Sequence, residues 1–246
     1  MFIYGIMLFL FGITIGSFLN VIIYRLPRGE SLILPPSHCP GCRHRLGVVD
    51  LLPLAGYLWL KGRCRYCGSR ISPRYPLVEL TGGLLTVGWG LRFGPTGEGL
   101  AIQALIYGLL AIALIDLEHR IIPDRLTVPL LVLGLTWRSF QGELPSALGG
   151  LLAGGGPLLA AALLYPRGMG LGDVKLLAAV GVFLGWRKVL LTLFGGSLLG
   201  VLVVLPLLLA GKIDRKTPFA FGPFLAVAAL VMIFGGDEIL RLLYGG

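Results

Sequence analysis

The sequence predicts an all-α, polytopic membrane protein of about eight transmembrane helices, with one small hydrophilic module inserted after the first. Three observations carry that prediction. Of 246 residues, 56% are hydrophobic and only 13% are charged, whereas a soluble domain carries about 25% charged residues. The mean hydropathy is +0.87. The apolar residues gather into runs at 2–24, 77–93, 99–116, 126–138, 147–164, 174–186, 189–209 and 219–234, and a crossing helix needs about 20 such residues.

Taken in order, the first run ends in "YRLPRGE" rather than in a small-residue cleavage site. It is also too long for the apolar core of a signal peptide, so it is expected to remain as a helix. Residues 25–76 form the one long hydrophilic stretch, and its apolar piece "LLPLAGYLWL" at 51–60 is too short to cross. The later runs are rich in glycine, of which the chain has 38, as suits closely packed spans. The segment 174–209 admits two crossings or one kinked helix with a re-entrant piece. Trp59, Trp89, Trp137 and Trp186 lie near run ends and read as interface anchors or packing groups. The expected domains are therefore a first helix at 1–24, a cytoplasmic module at 25–76 and a transmembrane domain at 77–246.

A net charge of +9 would suggest nucleic acid in a soluble protein. Here the charges are sided. With 25–76 placed in the cytoplasm, alternation puts 117–125, 165–175 and 210–218 on the same side, and sixteen of the 21 Lys and Arg residues fall there. That is the excess that cytoplasmic loops carry. It places both termini outside and leaves no nucleic-acid partner to invoke; the partner is membrane lipid.

All four cysteines lie in two CxxC knuckles, "CPGC" at 39–42 and "CRYC" at 64–67. The spacing is close to that of a structural zinc site, and two knuckles complete a tetrahedral thiolate shell. Cys39, Cys42, Cys64 and Cys67 are thus expected to bind Zn2+. Gly41 and Gly68 would supply backbone freedom, and Arg63 and Arg65 would stabilise thiolates. His38 and His44 flank the first knuckle, expected outside the ligand shell. A redox dithiol pair is the competing chemistry.

Carboxylates mark the second site. Asp116 closes the run 99–116 and Asp173 opens the run 174–186, which by topology puts both near the cytoplasmic boundary. Two carboxylates held within a few ångströms cannot both ionise, so they share a proton, and such a pair can activate water and protonate a carbonyl. No G-x-S-x-G elbow or HExxH helix competes with them. The spacing alone leaves Asp173 open to either catalysis or capping a helix that starts at Val174. Asp124 reads as the N-cap of the next span, Glu79 as a pairing or ligand-binding group, and His119 as a boundary residue facing headgroups. A proton-coupled transporter would also hold carboxylates in spans, and a membrane-anchored redox or assembly factor would use the cysteines; these are the rival classes.

"GSFLNVIIYRLP" at 16–27, the paired knuckles, "RYPLVELTGG" at 74–83, "IDLEHRIIPD" at 115–124 and "GMGLGDVKLLAAVG" at 168–181 together resemble the type IV prepilin peptidases, the leader peptidases of bacterial pilus and type II secretion systems. The resemblance covers nearly the whole chain. It implies that Asp116 and Asp173 are the catalytic pair of an aspartyl protease of the bacterial inner membrane. It also implies cleavage of the basic leader of prepilins and pseudopilins after a glycine. N-methylation of the new terminus from S-adenosylmethionine is implied as well, with Asn20, Arg25 and Glu79 as candidates for that site. Gly170, Gly172 and Lys175 are the expected substrate-binding residues, the glycines as an extended, side-chain-free cradle. One departure is visible: "FAFGPF" puts Ala220 where the family carries the first proline of a Pro-Phe-Gly-Pro element, while Phe221, Gly222 and Pro223 match.

Overall fold

The computed structural model describes residues 1–165, 170–214 and 219–245. Among them all regular structure is helical: α1 (Phe2–Arg25), α2 (Ala55–Trp59), α3 (Arg74–Arg92), α4 (Gly97–His119), α5 (Asp124–Phe140), α6 (Leu144–Leu164), α7 (Leu171–Leu209) and α8 (Gly222–Tyr244). The chain forms two compact units, Met1–Pro95 and Thr96–Gly246.

In the first unit α1 lies against α3 along a seam of small residues. A Cβ on Gly12 would meet the Gly82 carbonyl oxygen at 2.7 Å, and one on Gly16 would meet the Glu79 Cα at 2.8 Å. Lipid gives helices no hydrophobic reason to associate, so backbone proximity of this kind supplies the van der Waals attraction. The helix beginning at Arg74 therefore groups with α1, and the module at 26–73 is suspended between them.

In the second unit α4 is the central element, with Leu105, Ile106, Leu109, Ile112 and Ile115 wholly buried. Its start is capped by Thr96, whose Oγ1 accepts from the Gly99 N–H at 3.0 Å. The 39 residues of α7 would extend about 58 Å as one rod, nearly twice the hydrocarbon thickness of a bilayer. Gly185 breaks it, with φ 75° and ψ 170°. Leu177 and Val189 both come within 3 Å of the same point, the Cβ position of Gly154 on α6, whereas a straight helix would hold them about 18 Å apart. The second half therefore folds back on the first, and α7 is a helical hairpin with Gly185 at its tip. The left-handed φ there suits glycine, the one residue without a Cβ to clash.

Five helices, α1, α4, α6, α7 and α8, are long and apolar enough to cross a membrane among the described residues. The chain is a membrane protein by that measure, but eight separate spans are not what length and composition give. α5 has only 17 residues, α3 carries Arg74, Glu79 and Arg92 within 19, and the two halves of α7 are continuous helix on either side of one residue.

Candidate active site and metal centre

Asp116 occupies the last turn of α4 and is 5% exposed. Its Oδ2 accepts the Gly222 backbone N–H at 2.9 Å. Gly222 is the first residue of α8, so the donor is one of the unpaired N–H groups every helix start carries, and it brings the positive end of the helix dipole with it. A Cβ on Gly222 would lie 2.7 Å from that same Oδ2; only glycine lets the amide approach. Sequence reasoning matched Gly222 to a family element yet assigned it no contact.

Asp173 is the third residue of α7, whose N-cap is Gly170 with no side-chain cap bond. The helix thus begins at Leu171 rather than Val174, and Asp173 caps nothing. Its Oδ1 is buried and has no hydrogen-bond partner among the described residues. Among the described residues, Asp116 lies close enough for its charge to act on Asp173. Ile122 explains how the two come together. It lies in the turn after α4 and fills the space beside both glycines, 2.9 Å (Cβ) from a Cβ on Gly172 and 3.3 Å (Cδ1) from one on Gly222. The starts of α7 and α8 meet at that one side chain, just past the end of α4, and Asp116 and Asp173 lie in the helix turns that adjoin it.

The expected glycine cradle is only half present. Gly170 is extended, at φ −80° and ψ 141°, but Gly172 is already helical; it is small because Ile122 occupies its side-chain space. Gly168, the first glycine of the motif, falls outside the described residues. Lys175 Nζ lies 2.8 Å from both carboxylate oxygens of Asp124, so its charge is paired across to α5. Asp124 is consequently not an N-cap: that position is Pro123, and the Asp124 carboxylate is turned toward Lys175 instead. The pair is exposed and contributes about 0.2–1 kcal/mol. His119 also departs from expectation, because its Nε2 is buried and has no partner among the described residues rather than being turned to the surface.

In the first unit the four cysteine sulfurs lie within 4.8 Å of one another. The Cys39 and Cys67 sulfurs are 3.8 Å apart, which is about the edge of a tetrahedron with metal–sulfur bonds of about 2.3 Å. The donor set fits a tetrahedral metal ion. Each knuckle repeats the same turn. The Cys39 N–H donates to the His44 carbonyl and the Arg43 N–H to the Cys39 carbonyl, at 2.9 and 2.8 Å; Cys64 pairs likewise with Ser69 and Gly68, at 2.8 and 2.9 Å. The position after the second cysteine is left-handed in both, Arg43 at φ 58° and Gly68 at φ 71°. Backbone freedom is needed at 43 and 68, not at Gly41. Replacing Arg43 by glycine is expected to stabilise the module by about 1 kcal/mol, since a left-handed non-glycine residue costs roughly 1–2; thermal unfolding followed by proteolysis within 26–73 measures it.

The thiols do not ionise alike. Burial opposes the Cys39 thiolate, but the Cys42 amide, the Ser69 hydroxyl, the Gly41 amide and Cys64 outweigh it and hold that thiol down to about 6. The His44 amide favours the Cys42 thiolate, yet burial and the sulfurs of Cys67, Cys39 and Cys64 push it up to about 11. Four thiolates this close need a cation to coexist. Arg65 is engaged with Asp50, Nε to Oδ1 at 3.1 Å, His38 Nδ1 is 3.1 Å from the Pro36 carbonyl, and His44 stacks on Tyr66 with ring centroids 3.6 Å apart. Neither histidine joins the sulfur cluster.

Between this module and the facing ends of α1 and α3 lies a cavity of about 440 Å³, lined among others by Asn20, Arg25, Tyr57, Tyr75 and Glu79. The three residues singled out for methyl transfer are therefore brought to one place. Arg25 is a strut of that wall, donating to the Ser31 and Pro35 carbonyls at 2.8 and 2.7 Å.

These features define a polytopic helical membrane protein with a buried and a half-buried carboxylate in one unit and a four-cysteine cluster in the other. Residues 10–93 match the bacterial peptidase A24 N-terminal domain, and residues 103–205 match the type IV leader peptidase family. The chain is 38% identical over 270 residues to a prepilin leader peptidase/N-methyltransferase of Aeromonas salmonicida, covering 97% of this chain and 93% of the relative. The protein of that name from Pseudomonas aeruginosa is 38% identical over 264 residues, covering 94% and 90%, and one from Burkholderia pseudomallei is 36% identical over 267, covering 95% and 86%. No solved structure matches. The chain belongs to the type IV leader peptidase family.

Proposed function

We propose that this protein is an aspartyl endopeptidase of the bacterial inner membrane. It removes the short basic leader of prepilins and pseudopilins after a glycine at the cytoplasmic face, and methylates the new N-terminal residue. The observation that carries the reading is the meeting, at Ile122, of the helix ends that bear Asp116 and Asp173, with Asp116 oriented by the Gly222 amide. One carboxylate takes a proton from water as its oxygen attacks the scissile carbonyl carbon, and the other protonates the carbonyl oxygen. Collapse breaks the C–N bond, and the departing nitrogen receives a proton from the pair. Asp173 Oδ1, buried and with no partner among the described residues, is the acceptor assigned to that water. The extended backbone at Gly170 offers strand-like hydrogen bonds to a scissile segment.

The cysteine cluster holds Zn2+ as a structural ion, because four sulfur ligands leave no position for substrate. Cys64→Ser is expected to abolish zinc retention and to open the module to proteolysis within 26–73; wild-type protein should carry one zinc per chain by elemental analysis. S-adenosylmethionine fits the cavity of the first unit in size and in its mixture of aromatic and polar lining, and supplies an electrophilic methyl group there. The sided distribution of Lys and Arg supports eight crossings, counting α3, α5 and both halves of α7, with both termini outside.

The test is one reaction. Detergent-purified protein is incubated with a prepilin substrate and labelled S-adenosylmethionine. The expected product lacks the leader and carries one labelled methyl group; a substrate left intact would overturn the reading.

A further inference from the structure

Asn20 is 2% exposed. Its amide nitrogen donates to the Tyr75 carbonyl at 3.1 Å and to the Gly16 carbonyl at 3.4 Å. With both hydrogens engaged, the amide cannot be turned over, and Oδ1 is fixed as an acceptor. That oxygen is buried and unpartnered among the described residues. Leaving such an acceptor unmet destabilises the fold, a cost that an apolar residue at the same place would avoid. Glu79 stands on α3 one turn beyond Tyr75 and is likewise buried. Its Oε2 accepts the Leu54 N–H at 2.8 Å, and an ionised carboxylate has about four acceptor positions. Both residues line the same cavity.

Arg25 in the same wall is spent on the Ser31 and Pro35 carbonyls, and Glu79 keeps acceptor positions beyond its bonds to the Leu54 amide and the Ser17 hydroxyl. Together with Asn20 Oδ1 these suit a group with several N–H donors and positive charge. We propose that Asn20 Oδ1 and the Glu79 carboxylate receive the primary α-amine that leader cleavage creates on the substrate, and that Glu79 takes the proton this amine must lose before it can be methylated. The proposal rests on the methyl-transfer reading above. The protonated amine arrives as an ammonium; one N–H proton passes to Glu79 and frees the nitrogen lone pair. That pair forms the new N–CH3 bond while the sulfur–methyl bond breaks and leaves its electrons on sulfur. The product is a secondary ammonium, and the proton on Glu79 leaves to water.

Binding without any methyl donor tests this. The probe is a fluorescent pentapeptide beginning with phenylalanine, with a free or an acetylated N-terminus, titrated into wild-type protein, Asn20→Leu and Glu79→Gln in detergent. Zinc content reports that each variant is folded. Wild-type protein is expected to bind the free amine at least 10-fold more tightly than the acetylated peptide, and each substitution to erase most of that preference. Equal binding by wild-type protein, or a preference that survives both substitutions, overturns the proposal. A parallel titration with S-adenosylhomocysteine separates the other source of a primary amine: loss of its binding with peptide preference unchanged assigns the pair to the donor and also overturns the proposal. Labelled methyl transfer by the wild type, scored separately, tests the reading on which the site rests. Transfer together with unselective peptide binding sinks the amine site alone.

Discussion

Asp173→Asn is expected to lower leader cleavage by a factor of about 10³ or more, and Asp116→Asn to do the same. An amide can neither take the proton from attacking water nor return it, and positioned acid–base groups are each worth about 10²–10⁴ in rate. The two variants should fail for different structural reasons. Asp116 is held by the Gly222 N–H through Oδ2, and an asparagine there can keep that bond through its carbonyl oxygen, so the framework of α4 and α8 survives. Asp173 has a buried oxygen without a partner among the described residues, and an asparagine removes its charge from beside Asp116. Both proteins should therefore keep wild-type thermal stability, which separates lost chemistry from lost fold. Gly222→Ala is a useful third case, since its Cβ would fall 2.7 Å from Asp116 Oδ2 and must displace the carboxylate.

The second large effect is expected far from the carboxylates. α6 and α7 touch backbone to backbone: a Cβ on Gly181 would come within 2.1 Å of the Gly150 carbonyl oxygen, and one on Gly150 within 2.0 Å of the Gly181 oxygen. Neither neighbour is a side chain that could swing aside. Gly181→Ala must push the helices apart, at about 3 kcal/mol, the upper part of the range for overpacked cores. Gly181 lies two turns beyond Asp173 on the same half of α7, so the displacement reaches the site, where a misplacement of about 1 Å can cost about 10²-fold in rate. The control is Gly149→Ala, next to Gly150 on α6, where a Cβ meets nothing within 4 Å. There alanine should be neutral or stabilising by up to about 1 kcal/mol, its advantage over glycine in a helix. Thermal inactivation in detergent and cleavage rate measure both variants.

These two cases show what was legible in the sequence and what was not. The cysteine knuckles, the apolar runs and the carboxylates at span edges are local patterns, and topology put Asp116 and Asp173 at matching depth. Contacts between distant elements left no such trace. Nothing periodic marks Gly222 as the donor to Asp116, or Ile122 as the wedge between two helix starts. Asp124 precedes an apolar run and so reads as a cap, because the pattern cannot show that Lys175 comes within ion-pair distance from another helix. Gly172 reads as chain flexibility in a motif of glycines, although it is small because a side chain fills its place. The left-handed turn at Arg43 is hidden in the sequence because arginine seldom adopts it; its trace is the repeat of the same turn at Gly68. The fold-back at Gly185 stayed ambiguous because two crossings and one kinked helix share the same hydropathy.

Whether Asp116 and Asp173 act as one unit is read from the residual cleavage rate of the Asp116→Asn/Asp173→Asn double variant beside those of the singles. Groups that work as a pair lose their function together, so their losses do not multiply. The double variant is predicted to cleave a prepilin substrate as slowly as either single, and no slower, over extended incubation at high enzyme concentration. A single variant that cleaves at the wild-type rate, or a double whose loss is the product of the two single losses, would contradict it.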